Sequence, residues 1–109
     1  MSNLKQLAIN YFETFSRKDL NALMLLFSDN PSLRDWNGLA EGRTDVETAN
    51  KNIFDSVETI TVTPTALYQD GNTVSAELDI LINGTEKLLV VDVITFEGDK
   101  IASVRAYKG

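Results

Sequence analysis

The spacing of apolar residues changes once along this chain, near residue 59, and that change restricts the fold more than any other feature of the sequence. Before it, apolar side chains recur every three or four residues, as they do on one face of an amphipathic helix. After it they recur every second residue, as they do on strands with one buried face. Helices followed by strands predict an α+β fold in which the helices cover one face of a curved antiparallel sheet.

The region before residue 59 begins with the pattern of two helices. The first presents one apolar face within residues 4–15, and residues 16–19 predict a capped restart into a second, short helix. We expect this second helix to include Phe27 and to stop at the Asp-Asn-Pro segment 29–31.

A third helix is predicted further along the same region. Thr44 and Glu47 have the spacing of a capping box, which predicts that the helix starts there. Its inner stripe contains one polar residue among four apolar ones and consists of Val46, Asn50, Ile53, Phe54 and Val57.

Four strands are predicted after residue 59, with turn signals between them, over residues 60–68, 74–82, 88–96 and 101–107. The strand 88–96 is apolar on both faces, which predicts a central position in the sheet. Its outward residues, Leu89, Val91 and Val93, need a cover that the helices of the same chain cannot supply. We therefore expect a homodimer through the outer face of the sheet.

Length and residue usage limit the chemistry. A chain of 109 residues is expected to form one domain over 1–109. It has no cysteine and no histidine, which excludes disulfides, thiolate nucleophiles, Ser-His and Cys-His pairs and the usual zinc sites. Proton chemistry must then come from Asp, Glu, Tyr or Lys, and we expect neither a metal nor a cofactor.

Charge and hydropathy bear on partners and location. The formal net charge is −6, which repels phosphate backbones and anionic lipid, so neither nucleic acid nor a membrane is an expected partner. The sequence has no run of roughly 18 apolar residues, the length a membrane span needs. It also lacks an N-terminal basic region followed by an apolar core, so a cytoplasmic location is expected.

Asp92 is the one carboxylate inside the apolar strand 88–96. Burial would remove its hydration, so the group either finds a partner or keeps its proton. If the last hairpin has a four-residue turn, Asp92 lies opposite Arg105 and the two charges pair. If the turn or a bulge shifts the pairing by one residue, Val104 and Ala106 face inward instead.

The hairpin before Asp92 leaves a similar choice. A strict two-residue loop at 83–84 would place Asp92 opposite Ser75. A three-residue loop would bring apolar residues to the face of Asp92, namely Ala76, Leu78 and Ile80. Matching of apolar faces favours the three-residue loop.

Two further residues could carry chemistry. Tyr11 lies on the inner stripe of the first helix, where a core aromatic with its hydroxyl at the rim is the ordinary interpretation. Asp35 lies between the second and third helices, where an aspartate is more often a turn former. Together with Asp92 they place a phenol and two carboxyl groups on three elements that could face one cavity.

Five segments carry a resemblance to a known family. They are YFETFSRKDL (residues 11–20), LRDWNG (33–38), GR (42–43), VDVITF (91–96) and SVRAY (103–107). Together they resemble the nuclear-transport-factor-2-like (NTF2-like) superfamily, and within it the SnoaL-like and ketosteroid isomerase-like proteins. The resemblance implies a cone-shaped curved sheet enclosing three N-terminal helices, a deep pocket for a small apolar molecule, and a dimer.

The resemblance also implies roles for individual residues. In ketosteroid isomerases a carboxylate base moves a proton between two carbons beside a carbonyl, while a tyrosine and a protonated aspartic acid hydrogen-bond the oxygen. Tyr11 falls at the position of that tyrosine, Asp35 at the base and Asp92 at the protonated acid. The other side chains expected to line the pocket are Phe15, Trp36, Asn50, Phe54, Leu78, Val90, Ile94, Val104 and Ala106.

This chain departs from the isomerase pattern at two of these positions. Asn50 stands near where a supporting tyrosine is often found, and Trp36 replaces the proline that follows the family's aspartate. Three functions therefore stay open: a cofactor-independent acid–base enzyme, either isomerase-like or a SnoaL-like cyclase or hydrolase; a non-catalytic small-molecule binding module; and a dimeric interaction domain. In the last, Trp36 would fill a collapsed cavity.

Overall fold

The structure, a computed structural model, describes residues 3–109, so the first two residues of the predicted domain 1–109 lie outside the described residues. Three helices and six strands make up the described residues. They are α1 (Leu4–Ser16), α2 (Leu20–Met24), β1 (Phe27–Asp35), β2 (Gly38–Glu41), α3 (Arg43–Ser56), β3 (Ile60–Asp70), β4 (Thr73–Ile82), β5 (Glu86–Glu97) and β6 (Lys100–Lys108). The α+β fold expected from the sequence is confirmed.

The six strands form one curved, unclosed sheet in the order β2-β1-β6-β5-β4-β3. The strand β5 lies inside the sheet between β4 and β6, as its apolar character on both faces predicts. Antiparallel pairing holds for all neighbours except β1 and β6, which run parallel. The strand β1 follows α2 and pairs with β6. The sequence interpretation missed this strand.

The junction between α2 and β1 corrects the predicted second helix. The helix ends at Met24, and Phe27 already begins β1, which contains the segment 29–31 that was expected to stop a helix. Proline is tolerated there because the pairing of β1 with β6 is irregular between Phe27 and Ser32. The guanidinium of Arg43 binds the junction, donating to the carbonyl oxygens of residues 24, 27 and 28 at 2.8–3.2 Å.

The start of α3 also differs from the prediction. The N-cap is Gly42, which uses no side-chain hydrogen bond, so the capping box expected from Thr44 and Glu47 is wrong. Gly42 has φ of 88°, a backbone conformation that favours glycine, and its N–H donates to the carbonyl of Pro31 at 2.8 Å. The backbone conformation of the turn between β2 and α3 thus makes Gly42, and not a residue with a capping side chain, the N-cap of the helix.

Two local irregularities fix the side chains around Asp92. Between β4 and β5, Ile82 pairs with Glu86 across a three-residue loop, so Asp92 lies opposite Ala76, as apolar matching predicts. Between β5 and β6, Thr95 pairs with Ser103, whereas the next residue, Phe96, pairs with Ile101. A bulge between these two pairs shifts the register by one residue.

The consequence of this bulge is that Asp92 lies opposite Ala106 on the inner face of the sheet. Arg105 pairs with Val93 on the outer face and cannot reach Asp92. The ion-pair alternative is therefore excluded.

The core lies between the helices and the inner face of the sheet. Its most completely buried large side chains include Phe12, Leu23, Phe96 and Ile101. The opposite face of β5 carries no helix, and Leu89 there is 58% exposed. None of the helices in residues 3–109 is long and apolar enough to cross a bilayer.

Candidate functional site

The inner face of the sheet and the helices enclose a cavity of ≈ 220 Å³. Its wall takes side chains from α1, α3, the turn between β1 and β2, and the strands β1 and β3–β6. Of the residues predicted from the sequence, the wall includes Tyr11, Phe15, Asp35, Trp36, Asn50, Leu78, Val90, Asp92, Val104 and Ala106. The structure thus brings the phenol and both carboxyl groups to one cavity.

Two residues expected to line the pocket, Phe54 and Ile94, are not among the side chains that line this cavity. The ring of Phe54 packs edge-on against Phe15 with ring centroids 4.9 Å apart, so Phe54 supports the wall from behind. Ile94 is fully buried in the core, two residues along β5 from Asp92.

Sequence reasoning missed part of the wall. The additional lining residues are Phe12, Leu33, Asn37, Ile53, Ser56, Val57, Ile60, Val62, Ile80, Ile82 and Leu88. Most of them are apolar residues on the helical and strand stripes that the pattern already assigns to the core. A cavity wall and a filled core have the same periodicity, so this part of the pocket had no separate signal in the sequence.

Asp92 is a nearly buried acid, with 8% of its surface exposed. Burial raises the pKa of its carboxyl group from the ordinary 3.8 to about 7, because the apolar surroundings disfavour the charged form. No ion pair in residues 3–109 involves it. At neutral pH the group is therefore divided between a protonated form, which can donate a hydrogen bond, and a charged form.

Tyr11 lies on α1 and is buried, with its ring set against three other aromatic rings. The centroids of Phe12, Phe15 and Phe27 lie 5.6, 6.1 and 5.9 Å from its own. Burial, with the charge of Asp92 as the second cause, raises the pKa of the Tyr11 hydroxyl far above its ordinary range. Tyr11 therefore keeps its proton and can act as a donor, and not as an acid or base, in this cavity.

Asp35 ends β1 and is half-buried at the turn into β2. Its Oδ1 accepts hydrogen bonds from the backbone N–H groups of Asn37 at 2.7 Å and Gly38 at 3.1 Å. These bonds form the turn that the sequence suggests for this aspartate, and they fix the carboxylate at the cavity wall.

Asp35 and Asp92 lie in one row across the sheet. Arg34 pairs with Arg105, so Asp35 comes beside Ala106, and Ala106 pairs with Asp92. With one strand between them, the two Cα atoms are about 10 Å apart by the usual spacing of strands. Both side chains reach the same cavity.

Asn50 is the polar member of the stripe on α3, and none of its surface is exposed. Its Nδ2 donates to the carbonyl oxygen of Val46 at 3.0 Å. Its Oδ1 is buried and has no hydrogen-bond partner in residues 3–109. Asn50 thus contains a buried acceptor that no donor in the described residues satisfies.

The cavity has two chemically different regions. The polar residues of the inner wall are Tyr11, Asn50 and Asp92, which are all buried. The mouth consists of Asp35, Trp36 and Asn37, and there Trp36 is 45% exposed. Trp36 lines the opening and does not fill the space, so the predicted sign of a collapsed cavity is missing.

The mouth also contains a contact between two elements. The Nζ of Lys108, near the end of β6, lies 5.8 Å from the centroid of the Trp36 ring. A cation over an aromatic face at this distance is attracted by the ring.

As for metal ions, no group of three or more carboxylates in residues 3–109 could hold one.

Comparison with known proteins agrees with this architecture. The SnoaL-like domain family matches residues 8–104 of the chain. No curated protein matches it in sequence.

Three solved structures illustrate the similarity of the fold. A protein with a ketosteroid isomerase-like fold from Catenulispora acidiphila, in complex with trimethylamine, has a TM-score of 0.85 at 20% identity, covering 96% of this chain and 86% of its own. A candidate dehydratase of the NTF2-like family from Streptomyces avermitilis has a TM-score of 0.83 at 20% identity, covering 96% and 92%. A de novo designed protein with a curved β-sheet has a TM-score of 0.81 at 19% identity, covering 100% and 88%.

At these identities the similarity concerns the fold alone, and a fold does not determine an activity. The match over residues 8–104 is of a different kind, because it follows the sequence along almost the whole domain. This chain therefore belongs to the SnoaL-like domain family and has the NTF2-like fold.

Proposed function

We propose that this protein binds a small, largely apolar carbonyl compound in its cavity and transfers a proton next to the carbonyl group. The observation that supports this proposal is that Tyr11, Asp35 and Asp92 line the same cavity. A phenol and a protonated acid supply donors, and a second carboxylate across the cavity supplies a base. Histidine and cysteine, two common side-chain catalysts, are absent from the chain.

The proposed reaction is an isomerisation. Asp35 removes a proton from the carbon next to the carbonyl, and the electrons of the broken C–H bond move towards the carbonyl oxygen. Tyr11 and protonated Asp92 donate hydrogen bonds to that oxygen as its negative charge develops. In a substrate whose C=C bond lies between the β and γ carbons, loss of this proton gives a dienolate. The protonated Asp35 then returns the proton to the γ carbon, so the double bond moves into conjugation with the carbonyl and the protein is unchanged.

The volume of the cavity favours a small substrate. At ≈ 220 Å³ it lies below the usual range for drug-sized ligands, about 300–1,000 Å³. A cavity of about 150 Å³ in another protein holds benzene. A ketone with a single six-membered ring is therefore a better candidate than a steroid.

The direct test uses 3-cyclohexen-1-one, whose conversion to conjugated 2-cyclohexen-1-one is followed by ultraviolet absorbance. We expect the wild-type protein to accelerate the conversion. In the variant Asp35→Asn we expect kcat to fall by about 10²–10⁴, the range typical of a lost general base. Asp29→Asn is the matched control, because Asp29 lies exposed on the same strand.

Two outcomes would contradict the proposal. Turnover that is undiminished in Asp35→Asn excludes Asp35 as the base. Absence of turnover in the wild type, with circular dichroism showing an intact fold, excludes this reaction.

A second candidate function is a non-catalytic binding module. The hydrogen bonds of Asp35 with Asn37 and Gly38 favour it, because a carboxylate used to form a turn has an ordinary structural role. Saturable binding of a ring ketone without product, and with normal affinity in Asp35→Asn, would support this function over the first.

We also propose that a second copy of the chain covers the outer face of the sheet. The exposed apolar residues there are Leu81, Leu89, Val91 and Tyr107. Both signs of charge border them, since Lys87 pairs with Asp79 at 3.6 Å, and a patch with both signs can pair with itself across a two-fold axis. We expect sedimentation at micromolar concentration to give a dimeric mass for the wild type and a monomeric mass for Leu89→Lys. A monomeric wild type contradicts the proposal.

Location in the cytoplasm stays a prediction, and cell fractionation would test it.

A further inference from the structure

A second cavity lies between α3 and the hairpin formed by β1 and β2, and we call it the side cleft. Its volume is ≈ 340 Å³, against ≈ 220 Å³ for the cavity described above. Five residues line both spaces, namely Leu33, Asp35, Asn37, Ile53 and Ser56. The two spaces are therefore neighbours that share one wall.

The shared wall places the side cleft beside the mouth of the cavity. Asp35 and Asn37 belong to that mouth, and both also line the side cleft. Leu33 is buried and Ile53 is half-buried, so they contribute to the shared wall deeper in the fold. A ring that occupies the cavity can therefore extend a substituent past Asp35 into the side cleft.

The side cleft combines apolar and polar side chains. Ala49 of α3 and Leu39 of β2 are apolar, and 49% of the surface of Leu39 is exposed. Asn37 and Asn52 contribute side-chain amides that make no hydrogen bond with other described residues. Concave surfaces with apolar side chains and a few free polar groups are typical of ligand sites.

The charges around the two spaces restrict the substituent. Neither wall contains a lysine or an arginine, whereas Asp35 lines both spaces. An anionic group would meet no opposite charge there and would be repelled by Asp35. A cationic group would pair with Asp35 and occupy the base of the proposed reaction. A neutral hydroxyl group avoids both effects, and it can donate to and accept from the asparagine amides.

We propose that the side cleft is a binding subsite for a short, neutral, hydroxylated substituent of the ring ketone that binds in the cavity. The proposal rests on the proposed function in one respect, that the ligand of the cavity is a small ring ketone. It adds the substrate class, namely a monocyclic ketone with a hydroxylated side chain. Contacts in the side cleft supply binding energy away from the reacting atoms and orient the ring relative to Asp35.

The test is calorimetric titration with cyclohexanones, which have no C=C bond that the protein could move. The ligands are cyclohexanone itself and its 3- or 4-substituted derivatives with a 2-hydroxyethyl, propyl or carboxymethyl group. At one of the two positions we expect the hydroxyethyl derivative to bind about tenfold more tightly than cyclohexanone, because its side chain is buried and hydrogen-bonded. We expect the propyl derivative to bind less tightly than the hydroxyethyl one, and the carboxymethyl derivative to bind no better than cyclohexanone.

The variant Ala49→Phe tests the location of the substituent. Ala49 lines the side cleft and is not among the residues that line the cavity, so a phenylalanine ring there fills the subsite alone. We expect the tenfold gain to disappear while cyclohexanone binds as it does to the wild type. The matched control is Thr48→Phe, at an exposed position of α3 that lines neither space, and it should keep the gain. If Ala49→Phe does not fold, Leu39→Trp fills the side cleft from β2 instead.

The outcomes separate this proposal from the proposed function. If cyclohexanone binds and the hydroxyethyl group adds no affinity, the subsite is excluded and the proposed function is unaffected. A gain that persists in the folded Ala49→Phe or Leu39→Trp variant also excludes the side cleft as its site. A propyl derivative that binds as tightly as the hydroxyethyl one contradicts the hydroxylated class. Failure of cyclohexanone and all its derivatives to bind contradicts both proposals.

Discussion

The inner wall and the mouth of the cavity contain the same kinds of polar group but give them different environments. Asp92 projects from the middle of a long strand, between two neighbouring strands, and is almost completely buried. Asp35 ends a strand, belongs to a turn and is bound by two backbone N–H groups. A regular sheet can therefore hold one carboxyl group dry, while a hairpin turn holds a second one near water.

This difference indicates how a chain without histidine can organise acid–base chemistry. Donors must keep their protons, which requires burial, and a base must stay accessible to the substrate and to solvent. Four predictions follow the comparison from the inner wall to the mouth, and they are ordered by the size of the expected effect.

The largest effect concerns the stability of the inner wall. Below about pH 4 both the folded and the unfolded chain carry the Asp92 proton, and towards pH 7 only the unfolded chain releases it. The burial of Asp92 thus contributes a loss of stability over this interval, on the order of 4 kcal/mol for a rise of its pKa from 3.8 to about 7. Asp92→Asn, measured by urea unfolding from pH 4 to pH 8, should lack this loss.

Asp79→Asn is the matched control, because Asp79 lies on the neighbouring strand β4 and pairs with Lys87. Its stability should follow the wild-type curve closely. Parallel curves for Asp92→Asn and the wild type would show that Asp92 is hydrated, and the contrast between the two regions would then be wrong.

The second effect is on ligand affinity. If the ketone oxygen needs a donor from Asp92, only the protonated form binds well, and the proton is lost as pH rises through about 7. The Kd of a ring ketone should therefore rise about tenfold between pH 6 and pH 8. Asp92→Asn, whose amide donates at every pH, should give a flat profile, and a flat wild-type profile would exclude this role.

The third effect concerns Asn50. Replacing it by leucine removes the unpaired acceptor and the weak bond to Val46, and should raise the free energy of unfolding by about 1 kcal/mol. Urea unfolding of ligand-free protein measures this. A clear loss of stability would mean that Oδ1 has a partner in solution, in contrast to its surroundings here.

The smallest effect is at the mouth. Lys108→Met removes the cation over Trp36 and should cost about 0.5 kcal/mol, the value typical of an exposed pair. Trp36 is the single tryptophan of the chain, so its fluorescence reports this contact directly. Lys5→Met, at an exposed position of α1, serves as the control. Unchanged stability and fluorescence in Lys108→Met would show that the contact between Lys108 and Trp36 is not formed in solution.

Much of the fold could be predicted because periodicity carries it. The first helix and the four later strands have long, regular stripes, and they appear where the pattern places them. The strand β1 was missed because its apolar residues are interrupted by Asp29, Asn30 and Pro31, which match a helix stop just as well. The parallel pairing with β6 is a long-range contact and leaves no local signal.

The site was predictable only in part, for related reasons. Asp92 and Asn50 are polar residues on apolar stripes, which marks them in the sequence without giving their partners. Whether Asp92 meets Arg105 or Ala106 depends on a bulge, and whether Asn50 is satisfied depends on the direction of one amide. Phe54 and Ile94 match the pattern of the cavity wall equally well, but tertiary packing puts them behind it.

The bulge in the last hairpin has a consequence for how relatives of this chain are compared. The bulge interrupts the alternation of inward and outward side chains along β6. Ile101 and Val104 therefore both face inward although they are three residues apart. A relative could contain counterparts of Asp92 and Arg105 and yet pair them as a salt bridge, if its hairpin lacked the bulge. Identical residues at those two positions are therefore not enough to assign a protonated acid to a relative. The useful sequence feature is the spacing of inward apolar residues on the last strand. A spacing of three residues indicates a bulge and an unpaired acid, and strict alternation indicates an acid paired with the arginine. The pH dependence of unfolding of the relative would distinguish the two.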